Sequence, residues 1–426
     1  MSEVFLKKII ANNNRVDYIY NINGEISKYF NQENVLFLEY NKNISKVPFS
    51  ILAIPFIANI APLIWITDSV IYLEELDEVF YKSLDEVKKG YQAMFPSMNF
   101  KGSIIVKKLV NNEYEINTQS AALFSGGLDA LTTYIRNKNS NPILITEYAW
   151  HEQRIQKNET WEADKKNALL FGTSNNLTNI FVESNYGTII RSNLVDKDYS
   201  KKLGDTWWHG LHHGLAIISA AIPIVFEMRI QTLFIASSNT PAFKVTCASD
   251  PTVDNKIKFA SGKVIHDGYE LTRQKKLNMV LNNSSDLENI QLRVCFKQEQ
   301  NCCKCEKCLR TIMGIIAEGH DPRNFGFNLP EGSVEMSDFL SNALRKEIKF
   351  FTNNFIQIYW LEIRSRFRDN YQKICFKEVC LWMNNYNFRK ERFKELMVYR
   401  IRYFFPIVRR KIKNLYRDSL YYQRSR

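Results

Sequence analysis

Ala121-Ala-Leu-Phe-Ser125-Gly-Gly-Leu-Asp-Ala130 is the stretch whose reading decides the fold. Ala121–Phe124 reads as a short buried strand, Ser125-Gly126-Gly127 as a tight turn, and Leu128 as the start of a helix. Two glycines let the backbone pass close to a bulky ligand. The first N–H groups of a helix have no partner within it, so such a turn suits an anion. Ser-Gly-Gly also occurs as a plain turn.

Outward from this turn, strand and helix alternate, which predicts a parallel sheet with helices on both faces. Strands are expected at 121–124, 142–147, 179–183, 232–236 and 291–294, with helices near 130–137, 161–171, 207–221 and 269–281. Asp267, with Glu270 three residues on, reads as a capping box for the last helix. Ligands of open parallel sheets sit beyond the strand C-termini. The segments to read for function are therefore Ser125–Asp129, Tyr148–Arg154, Ser184–Asn185, Ser237–Thr240 and Cys295.

Residues 1–118 read as an N-terminal α/β lid or packing domain without a catalytic constellation. It has strands at 35–40 and 100–106 and a helix at 74–91. Pro48–Ile66 is apolar and nearly long enough to span a bilayer, but Pro55, Asn59 and Pro62 favour buried core. Residues 119–328 form the expected nucleotide-binding unit and 329–426 a helical, basic extension. The net charge of +12 is concentrated in the tail: 389–426 carries thirteen Lys or Arg against three Asp or Glu, leaving about +2 for the rest. The body is thus no basic nucleic-acid platform. The tail, with Tyr399, Tyr403, Phe404 and Phe405 among its arginines, reads first as a packed helical region. Contact with an anionic membrane surface comes next, and RNA after that. With no apolar leader after Met1, the expected location is cytoplasmic.

Four of the eight cysteines lie within Cys302–Cys308. Cys295, Cys302, Cys305 and Cys308 can close a tetrahedral Zn²⁺ shell, leaving Cys303 spare or a competing ligand. Four thiolates leave no open position for water, so a structural ion is expected. Cys247, Cys375 and Cys380 stand alone and read as core.

The turn and the knuckle together resemble the PP-loop ATPases of the adenine nucleotide alpha-hydrolase superfamily, in their 7-cyano-7-deazaguanine synthase-like (QueC-like) branch. The likeness runs from about Ala121 to Ile315. His266-Asp-Gly-Tyr-Glu270-Leu-Thr-Arg273, Leu292-Arg-Val-Cys295 and Cys305-Glu-Lys-Cys-Leu-Arg-Thr311 bring it nearest to a QueC-like group that often has an extra N-terminal domain. The resemblance implies a Rossmann-like (HUP-type) α/β fold that uses ATP, Mg²⁺ and Zn²⁺. It implies nucleotide contacts at Ser125, Gly126, Gly127, Leu128 and Asp129, and zinc on Cys295, Cys302, Cys305 and Cys308. The superfamily loop ends Asp-Ser, whereas this one ends Asp129-Ala130.

The implied activity is ATP-dependent C–N ligation. A small-molecule carboxylate or carbonyl is adenylated, pyrophosphate leaves, and ammonia or an amine supplied from outside attacks. Asp129 would hold Mg²⁺, and Arg273 and Lys276 would supply positive charge. His209, in Trp207-Trp-His209-Gly-Leu-His212-His213-Gly214, reads as a general acid or phosphate contact near a closely packed helix start. Ser237 and Ser238 offer hydroxyls to substrate or ribose. Alternatives left open are a nucleotide-binding or defence module without turnover, a tRNA-modifying enzyme, and amidation of a polysaccharide sugar. A homodimer is also left open.

Overall fold

The structure is a computed structural model of the chain and describes residues 2–31, 35–148, 158–241, 245–295, 298, 300–347, 354–373, 376–387, 390, 393–394, 396–398 and 401. It comprises two compact units, 1–300 and 301–426.

The first unit is organised by one eleven-stranded sheet. Its strands are β1 (Glu3–Asn12), β2 (Arg15–Asn23), β3 (Val35–Tyr40), β4 (Val70–Asp77), β5 (Ser103–Val110), β6 (Ala121–Leu123), β7 (Ile143–Tyr148), β8 (Asn179–Ser184), β9 (Thr232–Ala236), β10 (Lys258–Phe259) and β11 (Gly262–Asp267). They lie in the order β10-β11-β9-β6-β7-β8-β3-β2-β1-β4-β5. The run β11-β9-β6-β7-β8 is parallel throughout. Chain order moves outward from β6 through β7 to β8, then jumps to the other side of β6 for β9 and β11. This is the reversal of the doubly wound nucleotide-binding sheets. The parallel strands are buried on both faces, which explains apolar runs such as Ile143-Leu-Ile in place of strict alternation.

The crossover helices are α3 (Leu128–Asn137), α4 (Asn158–Ser174), α5 (Ser192–Leu203) and α6 (His213–Glu227). Before them come α1 (Phe49–Ile66) and α2 (Glu78–Met94), and after them α7 (Arg273–Asn282). Helix α1 is apolar around its whole circumference, and such a helix must be surrounded by protein or lipid. Here its apolar window is 94% buried in the fold; the same test selects Trp208–Glu227, 78% buried. The expectation of core for 48–66 holds.

The boundary near 118 falls within one continuous sheet, and the compact units divide at 300 instead. Antiparallel pairing of β3 with β8 joins the N-terminal strands to the parallel set. The Tyr40 hydroxyl donates to the Ala220 carbonyl of α6 at 2.9 Å across the same seam. The fifth parallel strand is β11, not the expected 291–294. That stretch is not a strand: its Arg293 N–H is shared between Gln291 O at 3.0 Å and Gly126 O at 3.2 Å. The Asp267 capping box is likewise corrected. Asp267 ends β11 in register with Ala236, and α7 is capped by Thr272, whose hydroxyl accepts from Lys275 N–H.

The second unit carries α8 (Glu306–Ala317), α9 (Ser333–Glu347), α10 (Asn354–Asp369) and α11 (Lys377–Asn385). Helix α8 packs on α9 and α10, and α11 on α9 and α10. The buried Glu318 carboxylate, just past α8, accepts two hydrogen bonds from the Arg366 guanidinium, at 2.8 and 2.6 Å. Most of the basic tail, including Arg400, Arg402, Arg409, Arg410 and Lys411, lies outside the described residues, as do Cys375 and residues 149–157.

Asp77 links four parts of the first unit. Its carboxylate is fully buried, caps α2 through Phe80 N–H at 2.8 Å, accepts Ala260 N–H at 3.0 Å and meets Asn112 Nδ2 at 3.0 Å. Asp77→Ala leaves the buried Phe80 and Ala260 N–H groups unmet, while Asn112 Nδ2 keeps Ser50 Oγ and Val110 O, so urea unfolding should report a loss of about 2–4 kcal/mol.

Candidate functional site

The site lies at the reversal between β6 and β9. Gly126 takes φ +69°, and a Cβ there would meet open space. A side chain is thus excluded by backbone conformation, not by crowding. Gly127 begins α3 in extended conformation and its position carries no side-chain cap. The first N–H groups of a helix have no partner within it, a setting that suits an anion. Gly127 N–H points back at Ser125 Oγ, 3.4 Å away, while Ser125 itself is exposed.

The turn is closed from below by Lys276 of α7. Its side chain is 2% exposed, and its ammonium donates to Asp129 Oδ1 at 3.0 Å and to the Ser237 carbonyl. Ser237 leaves β9 and is fully buried; its N–H donates to Asp267 O and its hydroxyl to Asn239 O. Leu128 is buried in the same turn, whereas Ser238 is exposed. One ammonium therefore joins the ends of the two strands on either side of the reversal. Asp267 meets Arg136 of α3 at 3.1 Å, and Arg136 also meets Glu270 at 2.7 Å. Arg273, half-buried, opens α7 behind its Thr272 cap.

Arg293 is the group that the sequence quoted only within a motif. Its backbone lies against Gly126 and Gly127, and its side chain is 6% exposed. Nε donates to Asp164 of α4, yet both terminal nitrogens are buried without a partner. A buried guanidinium with two unmet NH₂ groups is costly, and phosphate is a natural partner for that fork. Its signal was one basic residue inside an apolar run, Leu292-Arg-Val.

His209 stands just before α6. It lies in a π-helical turn, Trp208–His212, and its Nδ1 is 2.7 Å from Asp205 Oδ2. Its ring stacks 5.9 Å from that of His213, whose Nε2 is 3.7 Å from the Cys247 sulfur. His212 diverges to Asn59 Oδ1 at 2.9 Å, and burial brings its pKa down to about 3, with His213 adding to the effect. Cys247, expected as isolated core, is thus a member of a polar cluster that joins two distant stretches of chain. Cys380 does behave as core: burial raises its thiol.

The sulfurs of Cys295, Cys302, Cys305 and Cys308 lie within 4.8 Å of one another. A tetrahedron of ~2.3 Å Zn–S bonds has edges of about 3.8 Å, close to the 3.9 Å between Cys302 and Cys308. Cys305 N–H donates to the Cys302 sulfur at 3.3 Å, the kind of backbone contact that holds a thiolate. Cys303 turns away at φ +55° to Asn301 O. The donor set fits zinc, with Cys303 outside the group of four.

Elemental analysis of purified protein should find about one zinc per chain. Cys305→Ser should lose the metal and lower the melting temperature, whereas Cys303→Ser should keep both.

No protein family, curated protein or solved structure matches the chain.

Proposed function

We propose that the chain binds ATP on the turn between β6 and α3, adenylates a small-molecule carboxylate or carbonyl, and completes a C–N bond. The observation that carries this reading is the buried Lys276 ammonium, held between Asp129 and the Ser237 carbonyl beside an uncapped helix start at the reversal of a parallel sheet. Backbone N–H groups from Gly127 onward suit phosphate oxygens. Lys276 and Arg293 supply positive charge for the departing pyrophosphate, and Asp129 supplies a carboxylate for Mg²⁺. A carboxylate oxygen attacks the α-phosphorus and pyrophosphate leaves. Ammonia or an amine then attacks the acyl carbon and AMP leaves. Such chemistry rests on positioning and charge stabilisation, the two things this edge of the sheet supplies. The four-cysteine zinc completes its shell without water and serves structure.

Ala130 favours a second reading. It is buried at the position where the resembling superfamily has serine, so one phosphate-binding hydroxyl is missing. Nucleotide binding without turnover follows if that hydroxyl is indispensable.

The chain, given Mg-ATP, ammonia and a panel of small carboxylic acids, should release pyrophosphate and AMP with at least one acid. Lys276→Met should cut that rate by about 100-fold or more, the usual effect of removing one preorganised charge donor. Circular dichroism should confirm an unchanged fold. Tight ATP binding with no AMP from any acid would overturn the ligase reading in favour of the second.

A further inference from the structure

We propose that Asp205, His209 and Cys247, with His213 beside the sulfur, form a nucleophilic cysteine centre that takes an acyl group from an ester or thioester as a thioester on Cys247. The centre uses none of the residues of the glycine turn and does not depend on the ATP reading.

Two chain segments build it. Helix α6 feeds β9, so the turn before it stands at the sheet edge where the parallel strands end. The loop leaving β9 returns over that turn. Ala248 N–H donates to His209 O at 2.7 Å, which fixes Cys247 against the histidines. Gly214 makes the approach possible, because a Cβ there would lie 2.3 Å from Ala248 O. The π-helical turn widens the backbone where the histidines emerge, a distortion frequent at functional sites.

The side chains follow the nucleophile, base and orienting-acid pattern. Asp205 takes Thr206 N–H on one oxygen, while its other oxygen meets His209 Nδ1 at 2.7 Å and Thr246 Oγ1 at 3.5 Å. The other nitrogen of the His209 ring is thereby left for the thiol, whose sulfur is held from the neighbouring ring by His213 Nε2 at 3.7 Å. Cys247 is 5% exposed, but the His209 side chain is 45% exposed, so a reagent reaches the sulfur past that ring. From α2, buried Tyr91 also faces the sulfur, and its hydroxyl donates to Leu211 O.

Burial by itself pushes the Cys247 thiol up. Hydrogen bonds from His209 and His213, and their charge, outweigh it and bring the pKa down to about 6. His209 is raised to about 10, first by its hydrogen bond to Asp205 and then by that to Cys247, against burial. At neutral pH the pair is thiolate and imidazolium. Cys380, buried in the same protein without such neighbours, is moved the other way. A shared metal does not account for the cluster: among the described residues, Cys295, Cys302, Cys305 and Cys308 are the group whose ligand atoms converge closely enough.

The step balances without an oxidant. The thiolate adds to the acyl carbon and an S–C bond forms. The C–O or C–S bond to the leaving group breaks, and the leaving group carries away that electron pair and takes the His209 proton. Water then adds to the thioester with His209 accepting its proton. The acid departs and the thiolate returns.

Iodoacetamide labelling of the full chain, read by peptide mass spectrometry across pH, tests the centre. Cys247 should label with a midpoint near pH 6. His209→Gln should slow labelling at neutral pH by about ten-fold or more and move the midpoint toward the ordinary ~8.5. Asp205→Asn should shift the midpoint the same way. p-Nitrophenyl acetate should leave one acetyl group on Cys247 and none on Cys247→Ser. Slow labelling at every pH, a wild-type midpoint near ~8.5, or no response to His209→Gln would overturn the activated thiolate. Fast labelling without an acetyl adduct would overturn acyl transfer. Neither readout uses ATP, so each result is distinct from the fate of the ligase reading.

Discussion

A buried ammonium is tolerable only where acceptors surround it, and Lys276 meets that condition at one point in the first unit. Asp129 follows β6, Ser237 follows β9, and Lys276 begins the helix after β11. The three strands whose ends form the crevice are therefore linked through one charge. A charge this deep cannot shift far without leaving a carboxylate or carbonyl unmet, and the cost of that is several kcal/mol at most sites. The glycine turn inherits its position from this link, because Asp129 lies in the first turn of α3.

The sheet continues well beyond that point. Strands β3, β2, β1, β4 and β5 extend it past β8. Two apolar helices, α1 and α6, pack against each other and carry much of the core. Their contact also brings Asn59 to His212, which fixes one end of the π-helical turn. The N-terminal region is thus a structural part of the wall that positions His209 and Cys247. A lid hinged at 118 would have to break the β3–β8 ladder to move.

The glycine turn and the Cys247 cluster stand at the same sheet edge for one topological reason. Every loop after a parallel strand and every helix start before one emerges there. The glycine turn, the Ser237 corner, the π-helical turn and the Cys247 loop all use it. The four-cysteine knuckle follows a different logic, since a close spacing in sequence already brings its sulfurs together.

That contrast separates what each level decided. The sequence by itself was enough for the strand, glycine turn and helix at Ala121–Asn137, the buried fate of Phe49–Ile66, and the zinc-type spacing of Cys295, Cys302, Cys305 and Cys308. Each of these depends on periods or spacings within a short stretch of chain. Only the tertiary structure decided that β11 and not 291–294 completes the parallel set, that Thr272 and not Asp267 caps α7, that Arg293 lies buried with an unmet fork beside Gly127, and that Cys247 meets His209 and His213. Those outcomes turn on residues far apart in the chain competing for the same hydrogen bonds and the same space, and no local pattern records which of them prevails.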